Sequence, residues 1–210
     1  MNLYDWSIAP NPKRVRMYLA EKGIEVERVE AAEPGKPVLK PEYLEKFPHR
    51  RVPLLELDDG TTIGEAMAIC RYFETLHPEP PLMGADALEK ATVEMWERIS
   101  EAEGMFVVAE VFRNSKRSFA GRALPGYAEP IEQIPELVAR GKLRMAQYYD
   151  KIDRQLAGRE FVTGDRFTVA DITAYCVIEF AKFCELDIPG FCAEVARWFD
   201  AVAARPSAKA

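Results

Sequence analysis

Two periodicities meet at one proline-rich segment, and that change constrains the chain more than any single motif. Over roughly the first eighty residues, apolar side chains alternate in twos and then recur at three and four; beyond HPEPPLMGAD (77–86) strand-like alternation nearly vanishes. NLYDW is strand-like, and PKRVRMYLAEKG is helical, with Pro12 just inside its start and Gly23 as its stop. IEVERVEA alternates again, PEYLEKF predicts a short helix, LLELDDGTTI a hairpin across Asp59-Gly60, and EAMAICRYFETLH an amphipathic helix. The order βαβαββα describes a small α/β domain over residues 1–77, and 78–86 reads as a linker. Helical patterns then run from about Ala87 to Arg117, Pro130 to Leu156, Thr168 to Cys184 and Phe191 to Ala204, making 87–210 an all-helical domain.

Charge and cysteine usage remove several classes of function. A net charge of -6, from 34 acidic and 28 basic residues in mixed stretches, argues against a nucleic-acid surface. The short basic runs KRVR (13–16) and HRR (49–51) read as solvated faces. The longest apolar runs, such as MFVVAEV (105–111), are too short to cross a bilayer, and the N-terminus shows no signal-peptide pattern, so no membrane partner and a cytoplasmic location are expected. Cys70, Cys176, Cys184 and Cys192 form no C-x-x-C pair and read as free thiols. With only His49 and His77 and no acidic cluster at ligand spacing, neither a metal site nor histidine catalysis is expected.

Three stretches bear on chemistry. In RVPLLEL, Pro53 opens a strand directly after Val52, where a proline is tolerated. Val-Pro at this point of a βαβαββα order resembles the cis-proline of thioredoxin-like domains, which would turn the Val52 N–H and C=O outward to pair with an extended peptide. In IGEAMAICRYFE, Glu65 opens a helix; it either complements the helix dipole or holds an ammonium while the free N–H groups hold a carboxylate. An α-amino acid terminus carries both groups on one carbon. In FVTGDRFTVADITAY, Thr168 and Asp171 have capping-box spacing with Phe167 as a staple, a structural role.

In this order and at these separations, LYDWSIAPNPKRVRMYLAEKGI, FPHRRVPLL, GEAMAICRYFE and FVTGDRFTVADI resemble the cytosolic glutathione transferase family across essentially the whole chain, and most of all its theta-like bacterial, plant and fungal branch. The resemblance implies a thioredoxin-like domain that binds glutathione as co-substrate, a helical domain that forms the electrophile pocket, and a homodimer. It implies that Val52 with cis Pro53 pairs with the cysteinyl backbone, that Glu65 meets the γ-glutamyl ammonium, and that Arg51, or less directly Lys40, meets the glycyl carboxylate. Ala66 stands where the family's serine binds the γ-glutamyl carboxylate, a loss of about 1.5–3 kcal/mol unless the backbone N–H suffices.

The larger departure lies in the opening turn, where Ala9 or Pro10 falls at the serine or cysteine of related branches. The tyrosine of other classes would fall near Asp5, with Tyr4 facing the opposite side of the strand. That leaves the helix start at Pro12 or Lys13, Ser7 and Asn11 to stabilise a thiolate, with Asn11 alternatively the helix cap. Some relatives use a water held by the helical domain, and EVFRNSKRS offers Arg113, Asn114 and Ser118 for that. Trp6 and Ile8 are candidates for one wall of the electrophile pocket, and Met105, Phe106 and Phe112, with Asn114, for the other. The leading function is conjugation of glutathione to small hydrophobic electrophiles, in the manner of a detoxification enzyme; a glutathione-dependent peroxidase or lyase, or a non-catalytic binding or assembly module, stay open.

Overall fold

The computed structural model describes residues 1–34 and 38–210. Its first part comprises β1 (Asn2–Asp5), α1 (Pro10–Lys22), β2 (Glu27–Glu30), α2 (Pro41–Lys46), β3 (Leu54–Glu56), β4 (Thr62–Gly64) and α3 (Ala66–Leu76), the order the alternating periods predict. The strands form one mixed sheet, β2-β1-β3-β4. Helix α1 carries the chain back, so β1 and β2 lie parallel, while β1 meets β3 antiparallel with Leu3 opposite Leu55. The hairpin turn between β3 and β4 uses Gly60 at φ 84. Gly23, at φ 64, ends α1 in the left-handed conformation that glycine favours.

Helix α1 begins earlier than the sequence suggests. It starts at Pro10, with Ala9 as a cap lacking any polar side chain. A proline at the first helical position has its φ already set, which favours this start over one at Pro12. Asn11 therefore sits inside the first turn and is not the cap.

The second part is helical: α4 (Ala87–Ile99), α5 (Phe106–Ser115), α6 (Pro135–Leu156), α7 (Val169–Lys182) and α8 (Ala193–Ala203). Where the sequence pattern reads one helix from Ala87 to Arg117, a π-helical stretch at Ser100–Met105 separates α4 from α5. Gly104 in that stretch lets α7 come close, since a Cβ there would lie 2.7 Å from Val177. The helix α7 is buried along most of its length and opens on the capping box of Thr168 and Asp171 that the spacing predicts. Asp171 also ties distant segments together. Its Oδ1 accepts the Val162 N–H at 2.8 Å and the Trp198 Nε1–H at 2.9 Å, and its Oδ2 accepts the Thr168 N–H at 3.0 Å. Burial pushes its carboxyl up to about 6, while these donors pull the other way.

Buried charge joins the two parts, which overturns the reading of KRVR as a solvated face. Arg14 is only 2 % exposed. It donates to Glu97 at 2.6 Å, Glu101 at 3.1 Å and Thr173 Oγ1 at 3.0 Å, so α1 is bonded to α4, α7 and the π-helical stretch. Burial pushes Glu97 upward, with Arg14 and Arg98 opposing. A buried arginine is tolerated because its donors find acceptors, and removing one partner would leave an uncompensated charge. HRR does lie at the surface, with His49 and Arg51 exposed.

At the far end of α1, Glu21 accepts from Arg205 at 2.9 and 2.7 Å and from the Ser207 hydroxyl. Burial would raise this carboxyl, but Arg205 and Ser207 hold it below its ordinary 4.5. A carboxylate with a depressed folded pKa contributes stability above its unfolded pKa and loses it as pH falls through the folded one. Glu21→Gln is therefore expected to lower the Tm at neutral pH and to match wild type in acid well below pH 4.5, as thermal unfolding across pH would measure. All four cysteines are buried free thiols, and burial pushes Cys70 and Cys176 up to about 12.

Candidate active site

Three backbone features converge at one end of the sheet, where β1 and β4 stop and β3 starts. The first is the turn after β1, closed by the Ala9 N–H on the Trp6 carbonyl at 2.8 Å, with Ser7 and Ile8 exposed at its corners. Arg16, which the basic run hid, pins this turn: it donates to Asp5 Oδ1 at 2.7 Å, to the Ser7 carbonyl at 2.9 Å and to the Ala210 carbonyl at 3.0 Å. The Ser7 hydroxyl has no hydrogen-bond partner among the described residues, so it is free to donate. Tyr4 points away, its hydroxyl on Glu56 at 3.0 Å.

The helix start offers fewer donors than a helix end normally does. Pro10 and Pro12 have no N–H, and the Lys13 N–H bonds to the Ala9 carbonyl at 3.2 Å. Only the Asn11 amide is left open. Its side-chain Oδ1 accepts from Arg14 at 3.0 Å, which leaves Nδ2 as the free end. The turn therefore presents the Ser7 hydroxyl and two Asn11 nitrogens to an anion.

The second feature is the Val52–Pro53 peptide bond, which is cis. The Val52 N–H and C=O have no hydrogen bond among the described residues and can pair with an extended backbone. Arg50 just before it is left-handed at φ 56, and the Arg51 carbonyl is engaged by the Tyr43 hydroxyl.

The third feature is Glu65, held at φ 64, ψ 125 ahead of α3. A non-glycine residue there costs on the order of 1–3 kcal/mol, strain that clusters at functional sites. The first α3 amide bonded to the backbone is that of Ile69, on the Glu65 carbonyl at 3.1 Å, so the amides of Ala66, Met67 and Ala68 stay open. The Glu65 carboxylate is exposed and meets Arg51 at 3.6 Å, a distance that a ligand ammonium can outcompete. Lys40 is the N-cap of α2, its carbonyl accepting the Tyr43 and Leu44 N–H groups at 3.1 Å, and its ammonium has no ion pair among the described residues.

The other candidates divide. Trp6 is half-buried, and Ile8 and Phe106 are well exposed, as a pocket wall requires. Phe112 is half-buried, its ring packed against Phe119 at 5.0 Å and Phe180 at 5.1 Å. Met105 is corrected to a core residue, only 2 % exposed, because the π-helical stretch turns it inward. Asn114 is also structural: its Nδ2 donates to the Glu110 carbonyl and its Oδ1 accepts the Ile134 N–H, both at 2.8 Å, which anchors the connection into α6. The loop after α5 reaches the segment before Val52: a Cβ on Gly126 would lie 3.1 Å from Arg51 Nε and 3.2 Å from the His49 carbonyl.

Among the described residues no group of acids, cysteines and histidines is placed to hold a metal, and no helix is long and apolar enough to cross a membrane. Residues 3–81 match the model of the glutathione S-transferase N-terminal domain, and 135–201 that of the C-terminal domain. Glutathione S-transferase 2 of Saccharomyces cerevisiae is 35% identical over all of this chain and 88% of its own. A glutathione S-transferase domain-containing protein of Marinobacter aquaeolei is 38% identical, with a TM-score of 0.87 over 99% of both chains. A class Gtt2 glutathione S-transferase of Vibrio parahaemolyticus is 35% identical, with a TM-score of 0.82 over 99% of this chain and 94% of that one. Identity of this extent over the full length, on the same fold, makes the chain a member of the glutathione S-transferase family.

Proposed function

We propose that the protein conjugates the glutathione thiolate to small hydrophobic electrophiles. The observation that carries this reading is the unbonded Val52 N–H and C=O on a cis Pro53, set beside an open helix start with Glu65 in front of it. Those groups suit the two ends of a γ-glutamyl-cysteinyl unit: the cysteinyl backbone pairs with Val52, the γ-glutamyl carboxylate takes the α3 amides from Ala66 onward, and Glu65 takes the ammonium. Lys40 and Arg51 serve the glycyl carboxylate. Residues 1–77 then form the glutathione domain, 78–86 the linker, and 87–210 the domain that faces the electrophile, with Trp6, Ile8, Phe106 and Phe112 as apolar lining. Family resemblance further supports a cytoplasmic homodimer with a detoxification role.

Chemistry needs the thiol ionised, and a free cysteine thiol has a pKa of about 8.5. The proton leaves for solvent, the Ser7 hydroxyl and the Asn11 N–H or Nδ2 stabilise the sulfur anion, and the thiolate attacks the electrophilic carbon. With an aryl halide the new S–C bond replaces C–halogen and halide departs. No cysteine of the chain competes, because all four are buried.

Conjugation of glutathione to an aryl halide or an isothiocyanate tests the function. Calorimetric binding of glutathione with no turnover on such a panel would instead identify a carrier, and no binding at millimolar glutathione would favour an assembly module. Ser7→Ala is expected to raise the pKa of bound thiol by about one unit and lower neutral-pH activity about tenfold, the effect of one lost hydrogen bond to an anion. Ultraviolet absorbance of the bound thiolate against pH checks this, and an unchanged titration would move the role to Asn11.

A further inference from the structure

Helix α5 ends on a cation that the helical part does not neutralise. The guanidinium of Arg113 lies 4.8 Å from the centroid of the Phe119 ring, and its Nη1 donates to the Arg122 carbonyl at 2.9 Å. It has no ion pair with any described residue, and its remaining N–H donors have no acceptor among them. Two acids face other cations: Glu110 lies 3.8 Å from Arg140, its Oε2 making no hydrogen bond among the described residues, and Glu65 lies 3.6 Å from Arg51.

Its neighbours carry the same sign. The Arg122 guanidinium sits 5.3 Å from the same Phe119 ring, and Arg51 lies against the loop that Arg122 belongs to, as the approach of Gly126 to its Nε shows. Burial, then the charges of Arg122 and Arg51, hold Arg113 down to about 10. Arg113 and Arg122 lie over the one Phe119 ring, and Arg51, which meets Glu65 at 3.6 Å, adds its field from beside the same loop. A guanidinium seated over a ring with N–H donors left unpaired can take a carboxylate in two parallel hydrogen bonds.

We propose that Arg113, assisted by the fields of Arg51 and Arg122, is a carboxylate-binding residue of the cleft. The inference rests on the reading of this cleft as the transferase site, where two molecules can bring a carboxylate: glutathione through its glycyl end, or an electrophile that carries an acid group. In the second case the electrophile class narrows from apolar to aromatic acids, with the ring beside Phe112 and Phe119 and the carboxylate on Arg113.

Calorimetry of the purified protein with two ligand pairs separates the sources: glutathione against its glycyl monoethyl ester, and nitrobenzoate against nitrobenzamide. In at least one pair the acid is expected to bind about tenfold more tightly than its neutral analogue, and Arg113→Met to bring that ratio near one. Loss confined to the first pair assigns the site to the glycyl carboxylate, and loss in the second assigns it to the electrophile. A wild type that discriminates in neither pair, or a folded Arg113→Met that keeps its ratios, overturns the proposal. If Arg113→Met does not fold, Arg113→Lys keeps the charge without the fork and is expected to lower the same ratio severalfold; an unchanged ratio there overturns it equally. Absence of conjugation with chlorodinitrobenzene, while the Arg113-dependent discrimination persists, would instead remove the transferase reading and leave the carboxylate site standing.

Discussion

Glu65→Ala is expected to lower kcat/KM for glutathione by about ten- to a hundredfold, the worth of one charge-assisted hydrogen bond to an ammonium. The carboxylate is well exposed and, among the described residues, pairs only with Arg51, at 3.6 Å, so its removal leaves no buried charge behind and the Tm should hardly move. Because the ammonium lies remote from sulfur, the loss should fall first on KM; a fall in kcat as well would mean that binding energy at this end also orients the thiol. Glu65→Gly makes a sharper test. The backbone at φ 64 and ψ 125 is costly for glutamate and alanine but open to glycine, so this variant should lose the same activity while gaining stability, by up to about 1–2 kcal/mol after glycine's own entropy cost. Steady-state kinetics with thermal melts of both variants would decide, and normal activity in either would remove Glu65 from the site.

Asp171→Ala should be the most damaging single change to stability. It strips the acceptor from the buried Val162 and Thr168 N–H groups and from the Trp198 indole, and each buried donor left unpaired costs about 1–3 kcal/mol. A total loss of about 3–5 kcal/mol follows, which for a chain of this size lowers Tm by roughly 10 °C or more. Asp171→Asn keeps the shape and one acceptor oxygen and should lose less. Urea unfolding followed by tryptophan fluorescence would measure both; an Asp171→Ala protein within 1 kcal/mol of wild type would contradict the account.

Much of this was legible in the residues, because local chemistry decides it. Gly23, the Asp59-Gly60 turn and the Thr168/Asp171 pair act over a few positions, and each element they bound appears where their spacing predicts. The order of motifs along the whole chain carried the family. What escaped was set by distant contacts. Arg14 and Arg16 look like surface charges until Glu97, Glu101, Thr173 and Asp5 are brought beside them. Asn114 read as a pocket group because nothing local reveals that Ile134 will take its oxygen. Met105 and Phe106 are adjacent, yet one is core and one exposed, and the π-helical stretch that ends at Met105 breaks the period a pattern search assumes. The proline at the first position of α1 was a signal in plain view, and Pro12 drew attention from it.

The burial of every cysteine has a consequence for a protein that handles a thiol peptide. Disulfide exchange begins with a thiolate reaching an accessible sulfur, and both conditions fail when the sulfurs are enclosed and the Cys70 and Cys176 thiols are pushed up to about 12. The chain can sit in concentrated glutathione, reduced or oxidised, without forming mixed disulfides with it. Its cleft meets sulfur only as a guest, so the redox poise of the pool acts on it through the supply of reduced glutathione and not through thiols of the chain.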